Sequence, residues 1–238
     1  MTTPRYGFSL TLLPDGEVLA VEAAVEPTRA ALYDPAKGTW KMTGSTTTSN
    51  VGGPNAAFLP DGEGLAVGES INTPSELYNP GTGTWSTTVS EGTTIINPIT
   101  PRLPGGEVFF TGSFASASAS YSTDALYDPA TGQFTQDNGP CSCKGFNGAL
   151  FQTGMVLVAG GFITVHARPY NKTETINSAE LWDPSTQAWT STRNLNISRG
   201  SESMTILTNG QALVAGGDTF DQQSGQLVVT ATAELYKP

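Results

Sequence analysis

Very few side chains in this sequence can carry out chemistry. There is one histidine, His166, and there are two cysteines, Cys141 and Cys143, with a single serine between them. A hydrolytic triad needs a base, usually histidine, held beside a nucleophile. His166 is the only histidine available for that role, and no G-x-S-x-G nucleophile elbow occurs. A structural zinc site takes four ligands. Cys141, Cys143 and His166 fall short of that, so neither a metal nor a cofactor is expected. A Cys-Ser-Cys bridge would close a small, strained ring. Two loop thiols are the simpler reading of the same residues.

Recognition chemistry is better supplied. Phe162, His166, Arg168 and Tyr170 fall in one short stretch, Phe220 lies further on, and Arg5 and Arg199 stand ahead of two apolar runs. Aromatic rings beside arginines suit a carbohydrate or a peptide, because a ring offers large apolar area and a face that attracts cations. The bland alternative is that the rings only pin loops down. The partner expected is a protein or a neutral glycan. A net charge of −10 speaks against nucleic acid, whose phosphates call for a basic patch. No apolar run reaches the ~18 residues of a membrane span, so no membrane insertion is expected. Carboxylate pairs do not stand out, because most acidic residues recur in Asp-Gly and Asp-Pro turns. Met1 is followed by Thr-Thr-Pro-Arg, with no basic and apolar leader pattern, so a secretory signal is expected to be absent or already removed. The compartment is left open, with an extracellular or cell-surface one preferred.

The elements that position these residues follow from an internal repeat. Leu32-Tyr33-Asp34-Pro35 runs on to Gly38-Thr39-Trp40, and Leu77-Tyr78-Asn79-Pro80 to Gly83-Thr84-Trp85. Leu126-Tyr127-Asp128-Pro129 leads to Gly132-Gln133-Phe134, and Leu181-Trp182-Asp183-Pro184 to Trp189. The sequence closes on Leu235-Tyr236-Lys237-Pro238. Successive copies are 45, 49, 55 and 54 residues apart. Ahead of each stands a turn signal and a Val- and Leu-rich run, such as Pro14-Asp15-Gly16-Glu17-Val18-Leu19 or Asn209-Gly210-Gln211-Ala212-Leu213-Val214. Asp-Gly and Asn-Gly predict two-residue hairpin turns, since both central residues tolerate positive φ. Each copy thus predicts four strands, a to d, and four antiparallel strands repeated at this period make the blade of a β-propeller.

The Asp-Gly hairpin, the Val-Leu-Val-Ala-Gly-Gly run at 156–161, Leu-Tyr-Asp-Pro and Gly-Thr-Trp together resemble the kelch repeat, as in bacterial kelch proteins and the propeller domain of galactose oxidase. The resemblance spans the chain, although the glycine pair is intact only at Gly160-Gly161 and Gly216-Gly217. It implies an all-β kelch-type propeller in one domain. The five blades fall at about 4–48, 49–92, 93–139, 140–195 and 196–238, nineteen strands in all, the last blade lacking its outer strand. It implies buried Trp40, Trp85 and Trp189, and an arginine near the channel mouth at Arg5 and Arg199. It does not imply copper radical chemistry, which in galactose oxidase takes two histidines where this chain has one.

The a–b and c–d turns are uniform, whereas the b–c loops grow from six residues at 70–75 to eighteen at 162–179 and sixteen at 218–233. Uniform turns on one face and elaborated loops on the other mark the elaborated face for binding. The function expected is therefore a non-catalytic binding module working through these loops. The alternatives are a degenerate carbohydrate-active enzyme domain and a structural fragment of a larger propeller with no site of its own. Self-association through the incomplete fifth blade is a further expectation.

Overall fold

The structure, a computed structural model, describes residues 8–22, 30–47, 51–68, 73–90, 92, 95–115, 120–140, 145–165, 172–221 and 223–238. The chain forms two compact units, residues 1–110 with 124–137, and residues 111–123 with 138–238. Every regular element among the described residues is a strand.

Four sheets have four strands each. The first runs β1 (Phe8–Leu12), β2 (Val18–Glu22), β3 (Ala30–Asp34), β4 (Thr39–Met42), and the second β5 (Val51–Phe58), β6 (Gly64–Gly68), β7 (Glu76–Asn79), β8 (Thr84–Thr87). The third orders β9 (Ile96–Ile99), β10 (Val108–Ala115), β11 (Ser120–Asp128) and β12 (Gln133–Asn138). The fourth joins β13 (Asn147–Leu150), β14 (Val156–Ala159), β17 (Ala179–Asp183) and β18 (Ala188–Ser191). The fifth has only β19 (Ser203–Ile206), β20 (Ala212–Ala215) and β23 (Ala233–Tyr236). This is a five-bladed β-propeller fold whose last blade has three strands among the described residues, as the repeat predicts. Four further strands, β15 (Phe162–Val165) with β16 (Lys172–Thr175) and β21 (Asp218–Asp221) with β22 (Gln226–Val229), form two hairpins that the repeat does not predict.

The a–b turns differ from the two-residue form expected. Gly16 N donates to Leu13 O and Leu13 N to Glu17 O, so Pro14, Asp15 and Gly16 form a three-residue loop. Proline has no N–H to donate in the pair that would flank a two-residue Asp-Gly turn, and its φ near −65° suits the first position of a type I turn. The glycine then closes the loop in the left-handed region, at φ 86°. At the c–d turns, Asp34 Oδ1 accepts from Ala36 N and Lys37 N, and Gly38 N donates to Asp34 O. Where the fourth copy has Gln187 in place of that glycine, glutamine itself sits at φ 52°.

Blades pack face to face. In the first unit, Leu13, Leu19, Val21 and Leu32 of one blade close on Phe58, Tyr78 and Trp85 of the next. Leu59, Leu65 and Val67 close in the same way on Ile95, Val108, Phe110 and Tyr127. In the second unit, Phe151, Leu157 and Leu195 close on Val214, Tyr236 and Ile206. In blades one to three the strand-c aromatic stacks on its strand-d partner, with ring centroids 5.0 Å apart for Tyr33 and Trp40, 5.0 Å for Tyr78 and Trp85, and 4.8 Å for Tyr127 and Phe134.

A hydroxyl lock accompanies this packing. Thr43 Oγ1 lies 2.7 Å from the Tyr78 hydroxyl and Thr192 Oγ1 2.6 Å from that of Tyr236, while Thr88 bonds Tyr127. Each threonine stands three residues after the strand-d aromatic of the preceding blade. Blade four has Trp182, with no hydroxyl, and there the position three residues after Phe134 holds Asp137.

Burial of the tryptophans is narrower than expected. Trp85 is buried, but Trp40 and Trp189 are half-buried. Trp85 lies over the first blade and donates its indole N–H to Gly44 O at 2.8 Å. On the corresponding face of the first blade, Phe8, Leu10 and Leu12 are themselves exposed, so nothing there covers Trp40 to the same depth. Trp85→Ala removes a large ring from an inter-blade core. It is expected to cost roughly 3–5 kcal/mol in urea unfolding, against under ~1.5 kcal/mol for Trp40→Ala.

Candidate functional site

The two longest b–c loops fold into the unforeseen hairpins. Phe162 pairs with Thr175 and Val165 with Lys172 in one, Asp218 with Val229 and Asp221 with Gln226 in the other. The second is turned by Asp221, whose carboxylate accepts from Gln223 N and Ser224 N, with Gly225 at φ 67° donating to Asp221 O. This is the Asp-to-Gly turn of the c–d corners used again, and the spacing of Asp221 and Gly225 was the signal that could have found it. The hairpins are neighbours: Phe220 N donates to Thr175 Oγ1 at 3.0 Å, and that hydroxyl lies 3.0 Å from Ser198 Oγ.

Beneath them runs the segment 199–202, wedged between the two glycine pairs. Gly161 N donates to Arg199 O at 2.7 Å, and Gly200 and Asp218 exchange both backbone bonds. A Cβ at Gly160 would strike Arg199 O and the Glu202 carboxylate, and one at Gly217 would strike Gly200 O. Gly160 and Gly217 also have φ of 69° and 89°. Close approach and left-handed backbone together explain why both pairs are glycine.

Arg199 is fully buried, at 0% exposure. Its Nη1 donates to Gly216 O and Thr232 O, and its Nη2 to Thr232 Oγ1 and, at 2.9 Å, to Glu234 Oε1. Burial pushes the Glu234 carboxyl up, but the N–H groups of Asn196 and Ile197 and the Arg199 guanidinium outweigh it and hold the group below its ordinary range. Glu202 is 2% exposed, and its Oε1 accepts from Asn147 N. Burial pushes its pKa up to about 7, against the pull of backbone N–H groups and the Arg199 charge.

These placements revise the sequence reading. Arg199 does not line an open mouth; it ties the segment 199–202 to strand β23. Phe162, at 9% exposure, lies over Gly145 and Gly200, where any Cβ would collide with its ring, and so supports the hairpin from within. Phe220 is half-buried. Arg5, His166, Arg168 and Tyr170, with Cys141 and Cys143, lie outside the described residues. The sequence reading passed over Glu202, Asn147 and Glu234. It also passed over the aliphatic run on β22, where Leu227 and Val228 are 42% exposed and Val229 is 84% exposed. No cluster of three metal-ligating side chains occurs among the described residues.

No family model and no curated protein matches this sequence. Solved structures do. The chain superposes on the structure of YjhT with a TM-score of 0.69 at 14% identity, covering 98% of this chain and 81% of that one. It also superposes on a fungal alcohol oxidase of the AA5 family in complex with copper, with a TM-score of 0.58 at 13% identity, over 99% of this chain and 63% of the oxidase. At these identities the likeness is one of fold.

The raised Glu202 pKa sets a pH dependence. A carboxyl that holds its proton up to about 7 when folded, and only to about 4.5 when unfolded, makes the folded state bind more protons between those values. Stability therefore falls as pH rises from about 4.5 to about 7, by on the order of 3 kcal/mol, and levels off above. Glu202→Gln removes that fall. Its melting temperature should match the native protein's near pH 4 and exceed it at pH 8; parallel curves across this range would refute the assignment.

Proposed function

We propose that this chain is a kelch-type propeller acting as a non-catalytic binding module, and that its partner docks on the paired b–c hairpins of blades four and five. The observation that carries this reading is the pair of exposed side chains Leu227 and Val229 on one face of β22, with the half-buried Phe220 paired to Leu227 across the ladder. Adjacent exposed aliphatic side chains suit a protein or peptide surface, since contiguous apolar area is what such partners cover. The aromatic and basic residues between β15 and β16, among them His166, Arg168 and Tyr170, add contacts from the neighbouring hairpin under this reading. The acidic net charge favours a neutral or basic partner. The copper chemistry of the fungal neighbour is not carried over, because the sequence holds a single histidine.

Val165 and Lys172 are paired across their ladder, so an Asn-Gly turn can join them directly in place of residues 166–171. Phe162 and Thr175, which support the hairpin, are untouched. The fold should survive, while binding to a hit from a basic-peptide or neutral-glycan array should fall at least tenfold, ~1.4 kcal/mol. The double change Leu227→Ser with Val229→Ser should do the same. Unaltered binding in both variants would move the site off this face.

A further inference from the structure

We propose that the outer edge of β22 takes up the partner as an added antiparallel strand, a peptide segment with a basic residue two positions before an apolar one. The proposal rests on the reading of the paired hairpins as the docking surface and names what they hold. The ladder between β21 and β22 fixes where the backbone groups point. Gly217 and Thr230 stand opposite one another at its open end, and Thr230 N donates to Gly217 O. Bonded and non-bonded pairs alternate in an antiparallel ladder. Asp218 with Val229 and Phe220 with Leu227 are therefore non-bonded pairs, whose N–H and C=O groups point outward on both strands. On β21 these outward groups are in use: Asp218 exchanges both backbone bonds with Gly200, and Phe220 N donates to Thr175 Oγ1. On β22 the outward groups of Leu227 and Val229 meet no strand among the described residues, and both side chains are exposed.

Proteins blunt such edges with charged side chains, proline or a bulge. Gln226-Leu227-Val228-Val229 carries no charge and no proline, and its pairing with β21 runs without a shift in register. In strand addition the main chain supplies affinity and alternate side chains supply selectivity. Residues opposite one another share a face of the sheet, so Asp218 lies beside Val229 and Phe220 beside Leu227 on one face. A third strand extends both rows. Its residue opposite Leu227 continues the row of Phe220 and Leu227 and is apolar. Its residue opposite Val229 continues the row that begins at Asp218, two strand spacings or about 10 Å away, a span that a lysine or arginine and the aspartate cover between them. In an antiparallel strand the residue opposite Val229 comes two positions before the one opposite Leu227, which gives the order basic, any, apolar. A second copy of the chain fits less well. Pairing β22 with itself would set Leu227 against Val229, place an apolar side chain where Asp218 calls for a cation, and join two chains each of net charge −10.

The probe is the peptide Gly-Thr-Thr-Lys-Thr-Leu-Thr-Thr, labelled with fluorescein at its N-terminus, titrated with the full chain and read by fluorescence anisotropy. Saturable binding is expected. Methylating the peptide's leucine nitrogen, which faces β22, should weaken it at least tenfold, whereas methylating the threonine nitrogen between lysine and leucine, which faces away, should change it less than threefold. Replacing the lysine by glutamate should weaken binding at least tenfold, and Asp218→Asn, which keeps the backbone bonds to Gly200, should narrow that gap. Val229→Pro removes an outward N–H and leaves the bonds to β21 in place. It should weaken binding at least tenfold with the melting temperature kept. Should that variant not fold, the two methylated peptides decide the matter on the native chain. Equal binding of the methylated peptides would overturn strand addition, and would leave the hairpin face as the docking surface if Leu227→Ser with Val229→Ser still weakens binding. Equal binding of the lysine and glutamate peptides, absence of saturable binding, or a native dimer that Val229→Pro dissociates would each overturn the proposal as well.

Discussion

A four-stranded sheet this small has two faces to bury and no helix to cover either. Its neighbours are the only partners available, so burial between blades is the constraint on which the rest of the structure depends. The chain meets it with one device used repeatedly. A tyrosine on strand c stacks on an aromatic of strand d, and its hydroxyl, which would otherwise be stranded in an apolar interface, bonds the threonine that ends the preceding blade. The ring brings area and the hydroxyl fixes the rotation of one blade on the next. Blade four departs from the device at both ends, with Trp182 for the tyrosine and Asp137 for the threonine.

The second device is local to blades four and five. Long loops cost conformational entropy and need support. Here the support is polar and buried: the guanidinium of Arg199 joins two blade-five carbonyls, a threonine and Glu234, while the glycine pairs let the segment 199–202 pass close beneath the hairpins. Phe162 closes the space above Gly200. A buried arginine held by four hydrogen bonds is costly to disturb, because removing one partner leaves its charge uncompensated. The rigid base frees the hairpin surface above it, and the aliphatic side chains of β22 face solvent without loss to any core.

The structural neighbours share this architecture at 13–14% identity. Such divergence is compatible with a fold held by positions of a given type at a given period, and it leaves the loops free to differ. One of those neighbours is seen with copper; this chain shares its fold and has a single histidine.

The period of Leu-Tyr-Asp-Pro and of the turn signals was enough to determine the number of blades, the number of strands in each and the short fifth blade. These rest on short-range rules: alternation in strands and turn residues with restricted φ. The three-residue form of the a–b turns was legible too, since Pro14 and Pro60 carry no N–H for the pair that flanks a two-residue turn. Asp221 and Gly225 likewise spelled a turn that a loop-length count passed over. Other features belong to tertiary structure alone. Arg199 and Phe162 read as exposed contact residues because arginine and phenylalanine in loops often are, and only the approach of segments distant in sequence, 17 to 35 residues away for Arg199, turns them inward. The elevated pKa of Glu202 arises in the same way, from burial that no neighbour in sequence announces. The threonine-to-tyrosine lock joins residues 35 and 44 apart, and the exposure of Leu227, Val228 and Val229 depends on what fails to pack over them. Burial and long-range polar contact are properties of the whole fold, and they decided which of the described candidate residues are exposed and which are turned inward.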